Sequence, residues 1–151
     1  MGMLEVIEVN SDADIQHCFA IRKTVFVVEQ QVPEEEEYDE FEVTSRHFLA
    51  FSDAKPIGTA RFRKTSKGYK LERFAVLKEG RNSGTGSGLL SRILHELASQ
   101  QIKAEIYLHA QVQAEPFYAK HGFEAVGDMF YECEIPHHKM IWKPAKAQVK
   151  S

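Results

Sequence analysis

The chain has 151 residues, 43% hydrophobic and 27% charged, with 19 Lys and Arg against 22 Asp and Glu and a formal net charge of −3. A single domain of that length buries roughly 68–70% of the surface it exposes when unfolded, and the composition excludes a disordered or fibrous chain. The slightly acidic balance argues against a general nucleic-acid binder, and no apolar run approaches the roughly 20 residues of a membrane-spanning helix.

Met3–Val9, with Leu4, Val6, Ile7 and Val9, reads as a strand. Ser11 then opens a helix, with Asp14 completing a variant of the capping box. Ile15, Cys18, Phe19, Val25 and Phe26 recur at helical spacing along it, so one face is buried. Pro33 and the acids after it end this helix in a loop, or at most a short second helix. Phe48–Phe51 reads as a strand, Asp53–Pro56 as a turn, and Ile57–Arg63 as the returning strand of a hairpin. Lys67-Gly68 marks another turn before a strand over Tyr69–Leu77. Lys78–Ser87 is a loop of small residues. Leu89, Leu90, Ile93, Leu94, Leu97 and Ala98 mark one face of a helix. Ala104–Ala110 is a strand, Ala114–His121 a short helix closed by Gly122, and Phe123–Tyr131 and Lys139–Trp142 the last strands. This order predicts an α+β fold: a mixed, mostly antiparallel central sheet of six or seven strands flanked by about four helices, in one domain over residues 1–151.

Charge is distributed unevenly. Glu29 to Glu42 holds eight acids and no base, whereas Arg61 to Arg81 holds eight bases against Glu72 and Glu79. Two solvated faces of opposite sign would give this pattern, as would a site for a cation and a site for an anion. Cys18 and Cys133 form no CxxC pair, which fits a reduced, cytoplasmic setting. The N-terminus lacks the basic and apolar regions of a signal peptide, and Val6 stands where a myristoylation motif needs Ser or Thr.

The most informative segment is Arg81-Asn82-Ser83-Gly84-Thr85-Gly86-Ser87-Gly88-Leu89-Leu90, between a strand and a helix. Alternating glycines let the backbone approach a ligand with several N–H groups turned one way. The helix N-terminus and Arg81 add positive charge, which makes a seat for a phosphate or pyrophosphate. A flexible loop without ligand is the alternative. No Lys follows the glycines, so this is not a P-loop. GxGxG in place of GxGxxG, away from the first strand, does not fit a dinucleotide fingerprint.

Arg81-x-x-Gly84-x-Gly86 resembles the pyrophosphate loop of the GNAT superfamily of N-acetyltransferases, and the resemblance covers nearly the whole chain. Pro56-Ile57-Gly58-Thr59-Ala60-Arg61 looks like that family's third strand and Leu71–Leu77 like its fourth. Gln111–Phe123 looks like its N-x-x-A-x-x-x-Y-x-x-x-G-F segment, with Gln111 at the usual Asn position. Val25–Pro33 and Ile135-Pro136-His137 are similar to the ElaA/YjcF-like branch.

The resemblance implies direct transfer of an acetyl group from acetyl-CoA, as co-substrate, to a primary amine. It places the pyrophosphate on the backbone of Asn82, Ser83, Gly84, Thr85, Gly86, Ser87 and Gly88 with Arg81 nearby, and the pantetheine along the main chain of Phe74, Ala75 and Val76. A backbone N–H at a bulge near Val76 would hold the oxyanion. The basic stretch Arg61–Arg81 would be the footprint of the anionic cofactor. Tyr118 matches the family's general acid for the leaving thiolate, the alternative being a core tyrosine. Glu29, Glu72, His109 and His137 are candidates for receiving the amine and its proton. Glu29 and its acidic neighbours could attract a cationic small molecule. A homodimer is implied by the family, with no nucleic-acid or membrane partner.

No metal site is expected, because neither H-x-x-x-H nor C-x-x-C occurs. Cys133 and His137 lack an orienting third group for covalent catalysis. A non-catalytic acyl-CoA sensor on the same fold, or an unrelated nucleotide-binding αβ domain, would share several of these features.

Overall fold

Four α-helices and seven strands form among the described residues, 3–100 and 103–143, of the computed structural model. The strands are β1 (Leu4–Glu8), β2 (Arg46–Ser52), β3 (Lys55–Thr65), β4 (Gly68–Val76), β5 (Glu105–Gln111), β6 (Phe123–Glu132) and β7 (Ile135–Trp142). The helices are α1 (Asp12–Arg22), α2 (Glu34–Glu37), α3 (Thr85–Ser99) and α4 (Glu115–Ala119). The sheet order is β1-β2-β3-β4-β5-β7-β6. β1–β2, β2–β3, β5–β7 and β6–β7 pair antiparallel, and β4–β5 pair parallel. This is the mixed, mostly antiparallel sheet that the element order predicts. The chain divides into two compact units, residues 1–63 with 73–102 and residues 64–72 with 103–151.

In the first unit, Ser11 caps α1 by accepting the Asp14 N–H at 3.2 Å. The helix does not keep a 3.6-residue period to Phe26, as the spacing alone implies. Lys23–Glu29 is a π-helical turn, closed by the Gln30 N–H donating to Val25 O at 3.1 Å. One extra residue per turn rotates the following side chains, and Val25 joins Cys18, Ile21, Leu49 and Ala75 in the core while Phe26 packs on its edge. The Cys18 thiol sits inside this cluster, and burial pushes it up to about 11, so it is inert packing. α3 buries Leu89, Leu90, Ile93, Leu94 and Leu97, the face its periodicity marks. It starts at Thr85, so the predicted Lys78–Ser87 loop is three residues shorter than expected.

In the second unit, the β4–β5 ladder runs from Gly68↔Glu105 to Leu71↔Leu108. Buried Tyr107, Leu108, Ala110, Tyr118, Phe123 and Met140 form its interior, with α4 against β5 and β6. Gly122 takes φ 94° after α4, a left-handed stop that suits glycine. β6 and β7 are joined by a two-residue turn at Cys133 and Glu134, both at positive φ (49° and 63°), the signature of a type I′ hairpin. β7 therefore begins at Ile135 rather than Lys139, and His137 lies within a strand. No helix among the described residues is long and apolar enough to cross a membrane.

Candidate active site

The loop before α3 is built for an anion at the helix end. Asn82 and Gly84 both take left-handed backbone (φ 62° and 86°), the conformation that Asn and Gly tolerate best. Gly84 is the N-cap of α3 and offers no side chain, so no side-chain hydrogen bond caps the helix. The first N–H groups of a helix have no partner within it, which leaves those of Thr85 and Gly86 for a ligand. Gly88 plays another part. Its N–H donates to Gly84 O at 2.9 Å, so it is not a pyrophosphate donor. A Cβ there would lie 2.8 Å from Leu4 Cδ2, so Gly88 lets α3 approach β1. Gly58 does the same on β3: its Cβ would lie 2.8 Å from Thr85 Cγ2 and 3.2 Å from Leu89 Cδ1.

Arg81 and Glu29, assigned opposite roles by the sequence, are bonded to each other. Arg81 Nη2 donates to Glu29 Oε1 at 2.5 Å, and Arg81 Nε donates to Val76 O at 2.9 Å. Glu29 thus carries a counter-charge already.

Parts of the two charged runs meet in an ion-pair network around Arg22: Glu37, Asp39 and Glu42 from the first, Arg61 and Arg73 from the second. Arg22 is 1% exposed. Its Nε donates to Glu37 Oε2 at 2.6 Å, and its Nη1 and Nη2 donate to the two oxygens of Glu42 at 2.8 and 2.7 Å. Arg61, equally buried, donates to both oxygens of Asp39 at 3.1 and 2.8 Å and to Glu42 Oε1 at 2.8 Å. Arg73 Nη2 reaches Asp39 Oδ2 at 3.1 Å, and the Arg63 guanidinium lies 3.9 Å from the Phe41 ring centroid. Arg61 is therefore no part of an anionic cofactor's footprint, and Glu37, Asp39 and Glu42 are no open attractor for a cation. Burial raises the cost of each charge, and the outcome differs along the network: Asp39 is pulled down to about 2 despite partial burial, chiefly by hydrogen bonds and charge from Arg61, whereas at Glu37 burial outweighs Arg22 and Arg73 and its carboxyl is raised.

β4 carries a left-handed residue at Arg73 (φ 60°). A left-handed backbone costs a non-glycine residue about 1–2 kcal/mol; the Asp39 contact anchors this one. Among the described residues no β5 pairing extends beyond Leu71, so the backbone of Phe74, Ala75 and Val76 lies outside that ladder.

The second unit holds the other candidates. Tyr118 is 9% exposed, with its ring edge-on to Phe117 and Phe123 at 5.0 and 6.1 Å. Burial pushes its phenol upward, so it is protonated at neutral pH. Gln111 Oε1 accepts from Gln113 Nε2 at 2.7 Å. Glu72 pairs with Lys70 at 3.3 Å. His109 and His137 are brought together by a residue that the sequence did not single out. Glu132 Oε2 lies 2.9 Å from His109 Nδ1, and Glu132 Oε1 lies 3.7 Å from His137 Nε2. Phe130 stands between the two rings, edge-on to His109 at 4.9 Å and stacked on His137 at 5.9 Å. Only the hairpin turn at 133–134 reveals Glu132, and Cys-Glu carries no turn signal in the sequence. No group of three or more metal-type ligands occurs among the described residues.

Residues 9–144 match the family model described as the acetyltransferase (GNAT) domain. The chain is 37% identical over 139 residues to the uncharacterized N-acetyltransferase YjcF of Bacillus subtilis, covering 91% of this chain and 99% of that protein. The crystal structure of Escherichia coli ElaA superposes with a TM-score of 0.82 at 25% identity, covering 95% of this chain and 100% of that one. A GNAT family acetyltransferase from Elizabethkingia anophelis, solved with acetyl-CoA bound, shares the fold at a TM-score of 0.68 and 16% identity, over 91% of this chain and 94% of that one. The uncapped helix after a left-handed glycine, the open sheet and these likenesses have one explanation: the chain belongs to the GNAT acetyltransferase family, in the branch that holds YjcF and ElaA.

Proposed function

We propose that this protein is an acetyl-CoA-dependent N-acetyltransferase that moves an acetyl group directly to a primary amine of a small molecule, with both substrates bound together. The observation that carries the reading is the start of α3. A helix of 15 residues with no side chain capping its N-terminus, entered through Asn82 and Gly84, fits a pyrophosphate through its free N–H groups and its dipole. The acetyl-CoA in the Elizabethkingia relative supports the same co-substrate.

In this reading Thr85 and Gly86 hold the pyrophosphate by backbone N–H, with Asn82, Ser83 and Ser87 around it. Phe74 to Val76 offer main-chain groups to the pantetheine in the manner of an added strand. Acetyl-CoA supplies the activated acyl group. Tyr118 gives its proton to the departing sulfur. Its buried phenol is a weaker acid than one in water, so the transfer depends on a thiolate formed in an equally dry place, where an unprotonated sulfur is costly too. The domain spans residues 1–151 and works as a cytoplasmic homodimer without metal, nucleic acid or membrane; sedimentation analysis checks the dimer.

Calorimetric titration with acetyl-CoA, against ATP and NAD as controls, tests the co-substrate: micromolar binding specific to acetyl-CoA is expected, and its absence from folded protein overturns the reading. Free-thiol release in an amine screen then tests transfer. Tyr118→Phe lowers kcat by about 10²–10⁴-fold at unchanged acetyl-CoA affinity. Binding without turnover for any amine would make the protein an acyl-CoA sensor.

A further inference from the structure

We infer that His109 is the proton acceptor for the incoming ammonium and that Glu132 is the residue that positions it, a step that rests on the transferase reading above. Four side chains compete for the role, and their contacts separate them. Glu29 is bound to Arg81. Glu72 pairs with Lys70, and its side chain is 8% exposed. His137 is 7% exposed; its Nδ1 lies 2.7 Å from Ile135 O, a carbonyl that can only accept, so Nδ1 carries the hydrogen and Nε2 is turned to Glu132. His109 is different. Its side chain is 26% exposed, and among the described residues its ring hydrogen-bonds Glu132 through Nδ1.

That bond sets the tautomer. The hydrogen bond from His109 is the largest influence on Glu132 and, against partial burial and with charge from Lys70 and His137, lowers its carboxyl from the ordinary value. Glu132 is thus an anion at neutral pH and can only accept, so neutral His109 carries its hydrogen on Nδ1 and presents a lone pair at Nε2. A base oriented by a carboxylate on its far nitrogen is the arrangement that nucleophile activation uses on unrelated folds. Phe130 fixes the ring from one side. The other charged and titratable groups around it are committed. Lys139, opposite His109 on β7, forms an ion pair with Glu105 at 2.8 Å. Tyr107 bonds Thr65. Glu72, one residue beyond the Leu71↔Leu108 end of the parallel ladder, holds Lys70.

The proton balance closes on these groups. R–NH₃⁺ gives one proton to His109 Nε2 and becomes the neutral nucleophile. Its nitrogen bonds to the acyl carbon, and the C–S electron pair leaves on sulfur, which takes the Tyr118 proton. The second proton lost by nitrogen restores the phenol, and the imidazolium passes its proton to water.

The test has two arms. In the first, the nitrogen shifts of His109 are read by ¹⁵N NMR at pH 8 in the full chain. The wild type is expected to show the Nδ1–H tautomer, Glu132→Ala, which leaves Nδ1 no carboxylate, the Nε2–H tautomer, and Glu132→Asp the wild-type form again. Nε2–H in the wild type, or no change in Glu132→Ala, overturns the positioning role. In the second, enzyme-dependent acetyl transfer is followed to spermidine, glucosamine and a lysine peptide, which bind as ammonium ions, and to hydroxylamine, which is a free base at neutral pH. His109→Gln is expected to lose about 10²–10⁴-fold in kcat for the accepted amine, at least tenfold more than for hydroxylamine, with the acetyl-CoA KM unchanged and one proton's dependence gone from the acidic limb of kcat/KM. Glu132→Asp should recover most of what Glu132→Ala loses. Equal losses with amine and hydroxylamine, or transfer to hydroxylamine with none to the amines, overturns the base and leaves the transferase reading standing. Transfer to no acceptor by a protein that binds acetyl-CoA overturns the transferase reading itself.

Discussion

Glu29 and Arg81, 52 positions apart in sequence, share a 2.5 Å hydrogen bond at the mouth of the loop that precedes α3. The side chains of Arg81 and Glu29 are 40% and 34% exposed, where an ion pair contributes about 0.2–1 kcal/mol. A pyrophosphate drawing on Arg81 must compete with Glu29. Glu29→Gln is therefore expected to tighten acetyl-CoA binding by about 1.4- to fivefold at low ionic strength, a range that follows from releasing such a pair. Arg81→Ala should weaken it. Calorimetry at two salt concentrations checks both; an unchanged Kd in Glu29→Gln means that Arg81 stays on Val76 and gives nothing to the ligand.

Glu42 is the hub of the buried network, since it accepts from both Arg22 and Arg61. Its neutralisation leaves two nearly inaccessible guanidinium groups short of a partner. Glu42→Gln should destabilise the fold by about 3–5 kcal/mol, read as a drop in urea midpoint at constant m. A change below about 1 kcal/mol would show that solvent reaches both arginines.

Acid should undo the same network. Burial works to raise the Asp39 carboxyl, but Arg61, the Phe41 N–H and Arg73 together bring it from 3.8 to about 2. A depressed native value means that the unfolded chain takes up the proton first as pH falls. The stability that Asp39 contributes is complete above about 3.8 and is lost on the way down to about 2. Melting temperatures recorded across that window should fall in the wild type and fall less steeply in Asp39→Asn. Parallel slopes would rule out a depressed Asp39.

The β6–β7 turn places two non-glycine residues, Cys133 and Glu134, at positive φ. An Asn-Gly pair suits such a turn far better. The double variant Cys133→Asn, Glu134→Gly should gain about 1–2 kcal/mol by relieving that strain, measured by urea unfolding, and should keep the Glu132–His109 bond. A loss of stability would contradict the turn geometry.

Most of the architecture is legible in the chain because it follows from local rules. Strand alternation, the Ser11 cap, the apolar face Leu89–Leu97 and the stop at Gly122 each depend on neighbours within a turn or two. The glycine loop is legible for the same reason: Asn82 and Gly84 are residues that accept left-handed backbone. Boundaries move where the local signal is mute, as at Thr85, or where a helix changes period, as at Lys23–Glu29.

What only the folded chain decides is which charges meet. The sequence determines that acids cluster at 29–42 and bases at 61–81, and composition alone makes them two faces. Packing makes Arg22, Arg61 and Arg73 the partners of Glu37, Asp39 and Glu42, because a buried charge is stable only beside its opposite. The same holds for His109. Its residue type announces a base, but its tautomer is set by Glu132, 23 residues later, across a hairpin whose turn has no sequence mark. Local chemistry determines which residues can act; long-range pairing decides which of them are already occupied and which are left to act.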